Sequence, residues 1–470
     1  MSFLDALEKD RSEMITFLRK LVSIPSVKGE AEEGAPFGLE ILRALKTVLS
    51  WGENNGFRTK NLSGYAGHIE FGDGDETIGI LVHLDVVPPG AGWRDHPFSG
   101  VIKEERIYGR GTIDDKGPAV AAMFALKALK DEKIELKKKI RIIIGCDEES
   151  GWACMDHYFK LESKPEMGFA PDAEFPLINC EKGLFGFDLD GVIHPCNVKG
   201  GPRLTQFQGG KRRNVVPDLA EAVVIVDDSR EWIEKRAELN RYFGEKAVAD
   251  DKFEWEEKNG VYYLKTFGVS AHASLPQLGE NALISMALIL NGLGQSGGIW
   301  EIVRFIADKI GWGHNGENLG IECEDEISGV LTLNLGVLNL QEDQAHLELD
   351  IRYPLCAGEQ GLIEKVSEQA SAVNLSIKPA HTLKPHYVPE EGFLVQSLLK
   401  AYREETQDFS APIAIGGRTY AMTLGNGVAF GPGFPGRPEL AHQKDEYISL
   451  TDFFSCARIY ARALFELARD

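Results

Sequence analysis

Apolar residues recur at helical spacing over residues 2–22 (Phe3, Leu7, Met14, Phe17, Leu18, Leu21) and 37–54 (Leu39, Leu42, Leu45, Val48, Leu49). Each pattern predicts an amphipathic helix. Continuous apolar runs over 77–82 and 139–145 predict buried strands, and 119–129 between them reads as a helix. Strand, helix and strand in alternation predict an α/β class, a sheet covered by helices. Both runs stop at polar strings, His83-Leu84-Asp85 and Asp147-Glu148-Glu149. Open α/β sheets place their sites beyond the C-terminal ends of such strands.

After about residue 184 the pattern alternates instead. Residues 222–226, 261–266, 331–338 and 345–351 read as strands around a helical stretch at 280–293, which predicts a separate α+β unit. Motif-bearing loops return from about Pro385, and an apolar helix over 450–467 closes the chain. The predicted organisation is a catalytic domain with a central mixed sheet covered by helices, built from 1–183 and 385–470. An α+β lid domain is inserted at 184–384. A chain of 470 residues exceeds the ~250–300 at which a single core stops growing, which also predicts two domains.

Lys plus Arg number 51 against 72 Asp plus Glu, a net charge of −21. Such a surface repels phosphate backbones and anionic headgroups, so neither nucleic acid nor membrane is expected as a partner. No run reaches the ~18 apolar residues of a membrane span, and the first ten residues lack a basic segment followed by an apolar one. The seven cysteines (146, 154, 180, 196, 323, 356, 456) are scattered without a Cys-x-x-Cys pair. That usage predicts reduced thiols and a cytoplasmic protein. The Asn-x-Ser sequons at Asn61 and Asn374 then read as accidental.

Five short segments concentrate His, Asp and Glu: His83 with Asp85, Asp114 with Asp115, Glu148 with Glu149, Asp172, and His442. Carboxylates gathered without a cation would repel and raise one another's pKa; a divalent metal with mixed imidazole and carboxylate ligands resolves that repulsion. Taken singly, each segment has a plainer reading. Glu148-Glu149 would be a solvated helix start, Asp114-Asp115 a turn, and a single His a hydrogen-bonded structural residue. Their co-occurrence is what favours chemistry.

The strings His83-Leu-Asp-Val-Val-Pro88, Tyr108-Gly-Arg-Gly-Thr-Ile-Asp-Asp-Lys-Gly117, Asp147-Glu-Glu149, Pro171-Asp-Ala-Glu174 and Ala271-His-Ala-Ser274 resemble the aminoacylase, carboxypeptidase G and carnosinase family of two-metal peptidases. The likeness is nearest to the bacterial dipeptidase V group, the Xaa-His or β-Ala-Xaa dipeptidases. It implies Asp114 as a bridging carboxylate, His83 and Asp172 completing one metal site, and Glu149 and His442 the other. It further implies hydrolysis of dipeptides by a metal-bridging hydroxide with Glu148 as general base. Asp85 would hydrogen-bond the ligand imidazole and fix its tautomer. In this family the peptide bond matching Asp114–Asp115 is often cis.

The resemblance also assigns residues of the lid. His272 would stabilise the oxyanion, while Asn214, Arg352 and the glycine loop at Gly417 would bind substrate; an Arg that grips a C-terminal carboxylate selects short chains. Without the family pattern, His272 would merely cap a loop and Arg352 would pair with an acid. Arg418 stands where relatives usually carry glycine, which affects that loop. The ligand set suits zinc, with manganese or cobalt as alternatives. A self-sufficient monomer acting on small dipeptides is expected. The rival reading is an N-acyl amino acid amidohydrolase with the same metal centre, and a catalytically inactive peptide-binding relative is a third.

Overall fold

A computed structural model describes residues 2–193, 202–226, 232–249 and 251–469. Cys196 of the cysteine set lies outside them. The chain divides into two compact units: Met1–Cys180 with Tyr387–Ile413 and Arg418–Asp470, and Glu181–His386 with Ala414–Gly417.

The first unit is built on a mixed sheet. Across most of its width the order is Arg58–Leu62, Ala66–Phe71, Lys139–Gly145, Thr77–His83, Met167–Ala170 and Gly427–Ala429. Thr77–His83 lies parallel to both Lys139–Gly145 and Met167–Ala170, while the pairs at the Arg58 edge are antiparallel. Every residue of Thr77–His83 is buried, the signature of a central strand covered on both faces. The covering helices include Ser2–Val22, Lys116–Asp131 and Leu450–Ala468, which pack on one another. Lys116–Asp131 is buried almost all round, with Val120, Phe124 and Leu126 fully enclosed.

The predicted runs at 77–82 and 139–145 appear as Thr77–His83 and Lys139–Gly145, and the helix expected at 119–129 spans Lys116–Asp131. The α/β class with a mixed sheet is therefore the observed one. Helices Ala153–Leu161 and Phe393–Thr406 were not predicted. Both begin without a capping side chain, one after Trp152 in the left-handed region and one after Gly392, so no start signal precedes them.

The second unit is an eight-stranded antiparallel sheet in the order Phe253–Lys258, Val261–Phe267, Leu219–Ile225, Arg203–Gly209, Thr332–Gln341, Gln344–Tyr353, Gly183–Val192, Ser376–Leu383. Its own core joins Phe185, Phe207, Leu264, Leu335 and Leu347 to the helix Ala282–Asn291. That helix is capped by Asn281, whose side chain accepts from the N–H groups of Leu283 and Ile284. No helix among the described residues is long and apolar enough to cross a membrane.

Candidate metal centre

Five chain segments deliver the predicted acidic and imidazole groups to one place at the end of the first unit's sheet. His83 is the last residue of its buried strand, Asp114 precedes helix Lys116–Asp131, and Glu149 follows the strand Lys139–Gly145. Asp172 follows Met167–Ala170, and His442 comes from the loop before the strand Tyr447–Ser449. Two groups of ligand atoms result, His83 with Asp114 and Asp172, and Asp114 with Glu149 and His442, each within 4.8 Å. Asp114 belongs to both. Its Oδ1 lies 2.9 Å from His83 Nε2 and its Oδ2 lies 3.0 Å from His442 Nε2. Asp172 Oδ2 stands 3.5 Å from His83 Nε2, and Glu149 Oε2 stands 3.0 Å from His442 Nε2. The Asp114–Asp115 peptide bond is cis, as the resemblance implies.

The donor set fits divalent cations. His83 Nδ1 donates to the carbonyl oxygen of Asp85 at 2.9 Å, and a carbonyl can only accept, so in the neutral ring the lone pair lies on Nε2, facing the centre. Buried Nε2 has no partner at hydrogen-bonding angles despite the nearby Asp114 oxygen. Lone pairs of one imidazole and two carboxylates thus converge where only a proton or a cation relieves their repulsion. Tetrahedral zinc with bonds of about 2.1 Å separates its ligand atoms by about 3.4 Å, close to the distances here.

The electrostatics record the same crowding. Burial, then the charge of Asp172, pushes the Glu148 carboxyl well above its ordinary range. Burial also raises Glu149 and Asp172, each helped by Asp114. Asp114 moves the other way: burial opposes its charge, but the imidazoles of His442 and His83 beside it hold it low. His442 loses by burial and gains more from Asp114 and Glu149, which lift it to about 11. Three carboxylates, Asp114, Glu149 and Asp172, thus converge on two imidazoles, an excess of negative charge suited to cations.

Asp85 sits where predicted but does a different job with its carboxylate. Its Oδ1 and Oδ2 accept the main-chain N–H groups of Glu148 (3.1 Å) and Glu149 (3.0 Å), and with both oxygens so engaged Oδ1 stays 3.6 Å from His83 Nδ1. The imidazole is held by the Asp85 main chain instead. Trp152 Nε1 donates to the Glu148 carbonyl at 2.8 Å, so the Glu148 main chain is tied at both ends. Asp115, on the far side of the cis bond, accepts the His83 N–H at 3.1 Å.

The second unit gathers the other predicted residues. Ala273 N–H donates to Asn214 O at 3.0 Å, and Val215 bridges His272, so Asn214 and His272 are neighbours. His272 Nδ1 lies 2.6 Å from Ser274 Oγ. A Cβ on Gly416 would stand 2.7 Å from Ser274 Cβ, and Arg352 donates from one terminal nitrogen to Gly416 O at 2.7 Å. Gly417 follows directly. Arg352 is buried and paired bidentately with Asp350 at 2.6 and 3.1 Å, so with the Gly416 bond each of its three nitrogens already donates once. Arg418 belongs to the first unit, where its guanidinium lies 5.1 Å over the Trp152 ring.

Among the charged residues that received no role from the sequence are Arg110, Lys116 and Glu446. Glu446 is 0% exposed; its Oε1 accepts the Ile113 N–H at 2.9 Å, and its Oε2 meets Arg110 at 2.6 Å. Burial, then Asp114, pushes its carboxyl up to about 7. Lys116 is buried with Nζ donating to the carbonyls of Leu21 (3.2 Å) and Ile24 (2.8 Å), and burial pushes it down to about 7. The available signal was charge among glycines and apolar residues, which marks a buried pair only once the partner is known.

Known proteins resemble this chain over its length. The family described as Peptidase family M20/M25/M40 matches residues 79–466. A Bacillus subtilis protein named "Putative dipeptidase YtjP" is 44% identical, covering 98% of each chain. A Staphylococcus epidermidis protein of similar name is 36% identical, covering 97% of each. Among solved structures, human carnosine dipeptidase 1 is similar in fold, with TM-score 0.61, 15% identity, and 100% of this chain and 98% of that one covered. The Saccharomyces cerevisiae di-peptidase Dug1p follows at TM-score 0.58 and 15% identity, with 100% and 99% covered.

Proposed function

This chain belongs to peptidase family M20/M25/M40, and from that membership we propose a dipeptidase that works with two divalent cations. The observation that carries the reading is Asp114, whose two oxygens face two different imidazoles at 2.9 and 3.0 Å. His83 and Asp172 would hold one cation with Asp114, and Glu149 and His442 the other. When bound, such a pair polarises a carbonyl and lowers the pKa of water.

The chain's own residues supply the rest. Glu148 lies outside both ligand groups and next to one ligand, so its carboxylate is free to take a proton from the attacking water and return it to the departing amide nitrogen. Asp85 and Trp152 fix the main chain from which it reaches. On the second unit, His272 would stabilise the oxyanion, and Arg352, Asn214 and Gly417 would hold the substrate main chain and its C-terminal carboxylate. Names of the relatives support dipeptides as substrates. Zinc is our first choice of metal, before manganese and cobalt. A cytoplasmic monomer is the setting we infer; the scatter of the cysteines, without a Cys-x-x-Cys pair, supports a reducing compartment.

The test strips the protein with chelator and restores zinc, manganese or cobalt. Substrates are Ala-Ala, Leu-Gly, β-Ala-His, a tripeptide and N-acetyl-methionine. Metal-dependent cleavage confined to dipeptides is expected. Cleavage of the acylated substrate alone would move the function to the deacylases, and no turnover with any metal would leave a peptide-binding relative.

A further inference from the structure

One buried ion pair links the two loops that bear Asp114 and His442. Arg110 and Glu446 are 2% and 0% exposed and meet at 2.6 Å. The oxygen of Glu446 that does not touch Arg110 accepts the Ile113 N–H at 2.9 Å, and the Asp114 N–H stands 3.4 Å from it. The other terminal nitrogen of Arg110 donates to the main-chain carbonyl of His442 at 3.1 Å. A short ladder joins the same two segments, with Tyr447–Ser449 antiparallel to Arg106–Tyr108 and Gly109 N–H donating to Glu446 O.

Other supports for His442 are few. It lies in a loop with φ of 63°, and its side chain is 53% exposed. His83, by contrast, ends a fully buried central strand and is fastened independently by Asp85 and Asp115. We propose that Arg110 and Glu446 are positioning residues that set the metal position formed by Asp114, Glu149 and His442, and leave the His83–Asp172 position largely to the sheet. The inference rests on the two-metal reading. Its consequence is unequal metal loading: disturbing the pair releases one ion before the other. Arg110 needs both terminal nitrogens, one for Glu446 and one for His442 O, a fork that lysine cannot reproduce.

The experiment is a cobalt titration of the metal-free full chain, followed by visible absorption and by metal content after dialysis. Wild type, Glu446→Gln, Arg110→Lys and His442→Ala are compared, with circular dichroism to confirm folding. Wild type is expected to take two cobalt ions. Glu446→Gln and Arg110→Lys should keep one at near wild-type affinity and hold the second about 10- to 100-fold more weakly. The absorption of their remaining ion should match that of His442→Ala. In a His442→Ala background, Arg110→Lys should weaken binding no further. Should Glu446→Gln fail to fold, Arg110→Lys carries the same test. Two ions bound with wild-type affinities in a folded Arg110→Lys protein would overturn the proposal, as would equal weakening of both. A wild type that binds no metal would overturn the two-metal reading itself.

Discussion

Glu148 and Glu149 are adjacent in sequence, yet the fold gives them different surroundings. Only Glu149 joins His442 and Asp114 in a ligand group, while both main-chain N–H groups are held by Asp85. Replacing Glu148 by Gln should remove proton transfer and leave metal binding standing: kcat is expected to fall about 10²- to 10⁴-fold, with two metals still bound per chain by elemental analysis. A fall in metal content would make it a ligand instead. His68 offers a residue-scale test of stability away from the centre. It is 7% exposed, with Nδ1 2.8 Å from Tyr158 Oη, and burial, then Arg141, pushes its imidazole down to about 4. Above the unfolded value of about 6.5 the group is neutral in both states, so its environment costs nothing. As pH falls from there towards 4, the unfolded chain gains a proton that the folded chain refuses, and stability is lost across that window. Between pH 7.5 and 5.5 this term amounts to about 1 kcal/mol. His68→Gln should flatten the acid side of the melting-temperature profile by that amount, whatever its effect at pH 7.5.

Elements that carry the ligands were the most legible in sequence because their signals are local. A run such as Thr77–His83, apolar throughout and ended by a polar string, can be read without knowing its neighbours. Helix Lys116–Asp131 was legible as a helix, but the depth of its burial was not, since Lys116 looks like a surface residue until the carbonyls of Leu21 and Ile24 are seen around it. The strand Ser376–Leu383 escaped because it is mostly exposed and shows no alternation, and Arg110–Glu446 escaped because its members lie 336 positions apart. The motif strings marked the candidate ligands, but the convergence of those side chains on Asp114 is a property of the sheet. The loop at Gly416 shows the same division. The resemblance marks this loop as substrate-binding through Gly417, whereas the structure needs Gly416 for close approach, since a Cβ would stand 2.7 Å from Ser274 Cβ. Gly416→Ala must move either Ser274, which holds His272, or the carbonyl that accepts from Arg352. A drop in kcat/KM of about tenfold or more is expected, with metal content unchanged; wild-type kinetics would show that these residues do not act on substrate.

At the scale of the whole molecule, the two units have separate hydrophobic cores, and all five proposed ligands, His83, Asp114, Glu149, Asp172 and His442, belong to the first. Metal therefore stabilises the state in which the first unit is folded, by an amount set by affinity and concentration: about 2.7 kcal/mol for each site at a free metal concentration 100 times its Kd. The second unit, with its own sheet and core, contains none of the five and gains nothing directly. Each unit is a natural cooperative block of the kind that opens separately. Scanning calorimetry of the full chain is therefore expected to resolve two transitions. Chelator should lower one of them, and restored zinc should raise it again in proportion to the logarithm of its free concentration. Glu149→Gln, which weakens a ligand without touching either core, should shrink the metal-dependent shift and leave the other transition where it was. A single transition that moves as a whole would mean that the units unfold together, so that the metal centre stabilises the recognition residues as well as the catalytic ones.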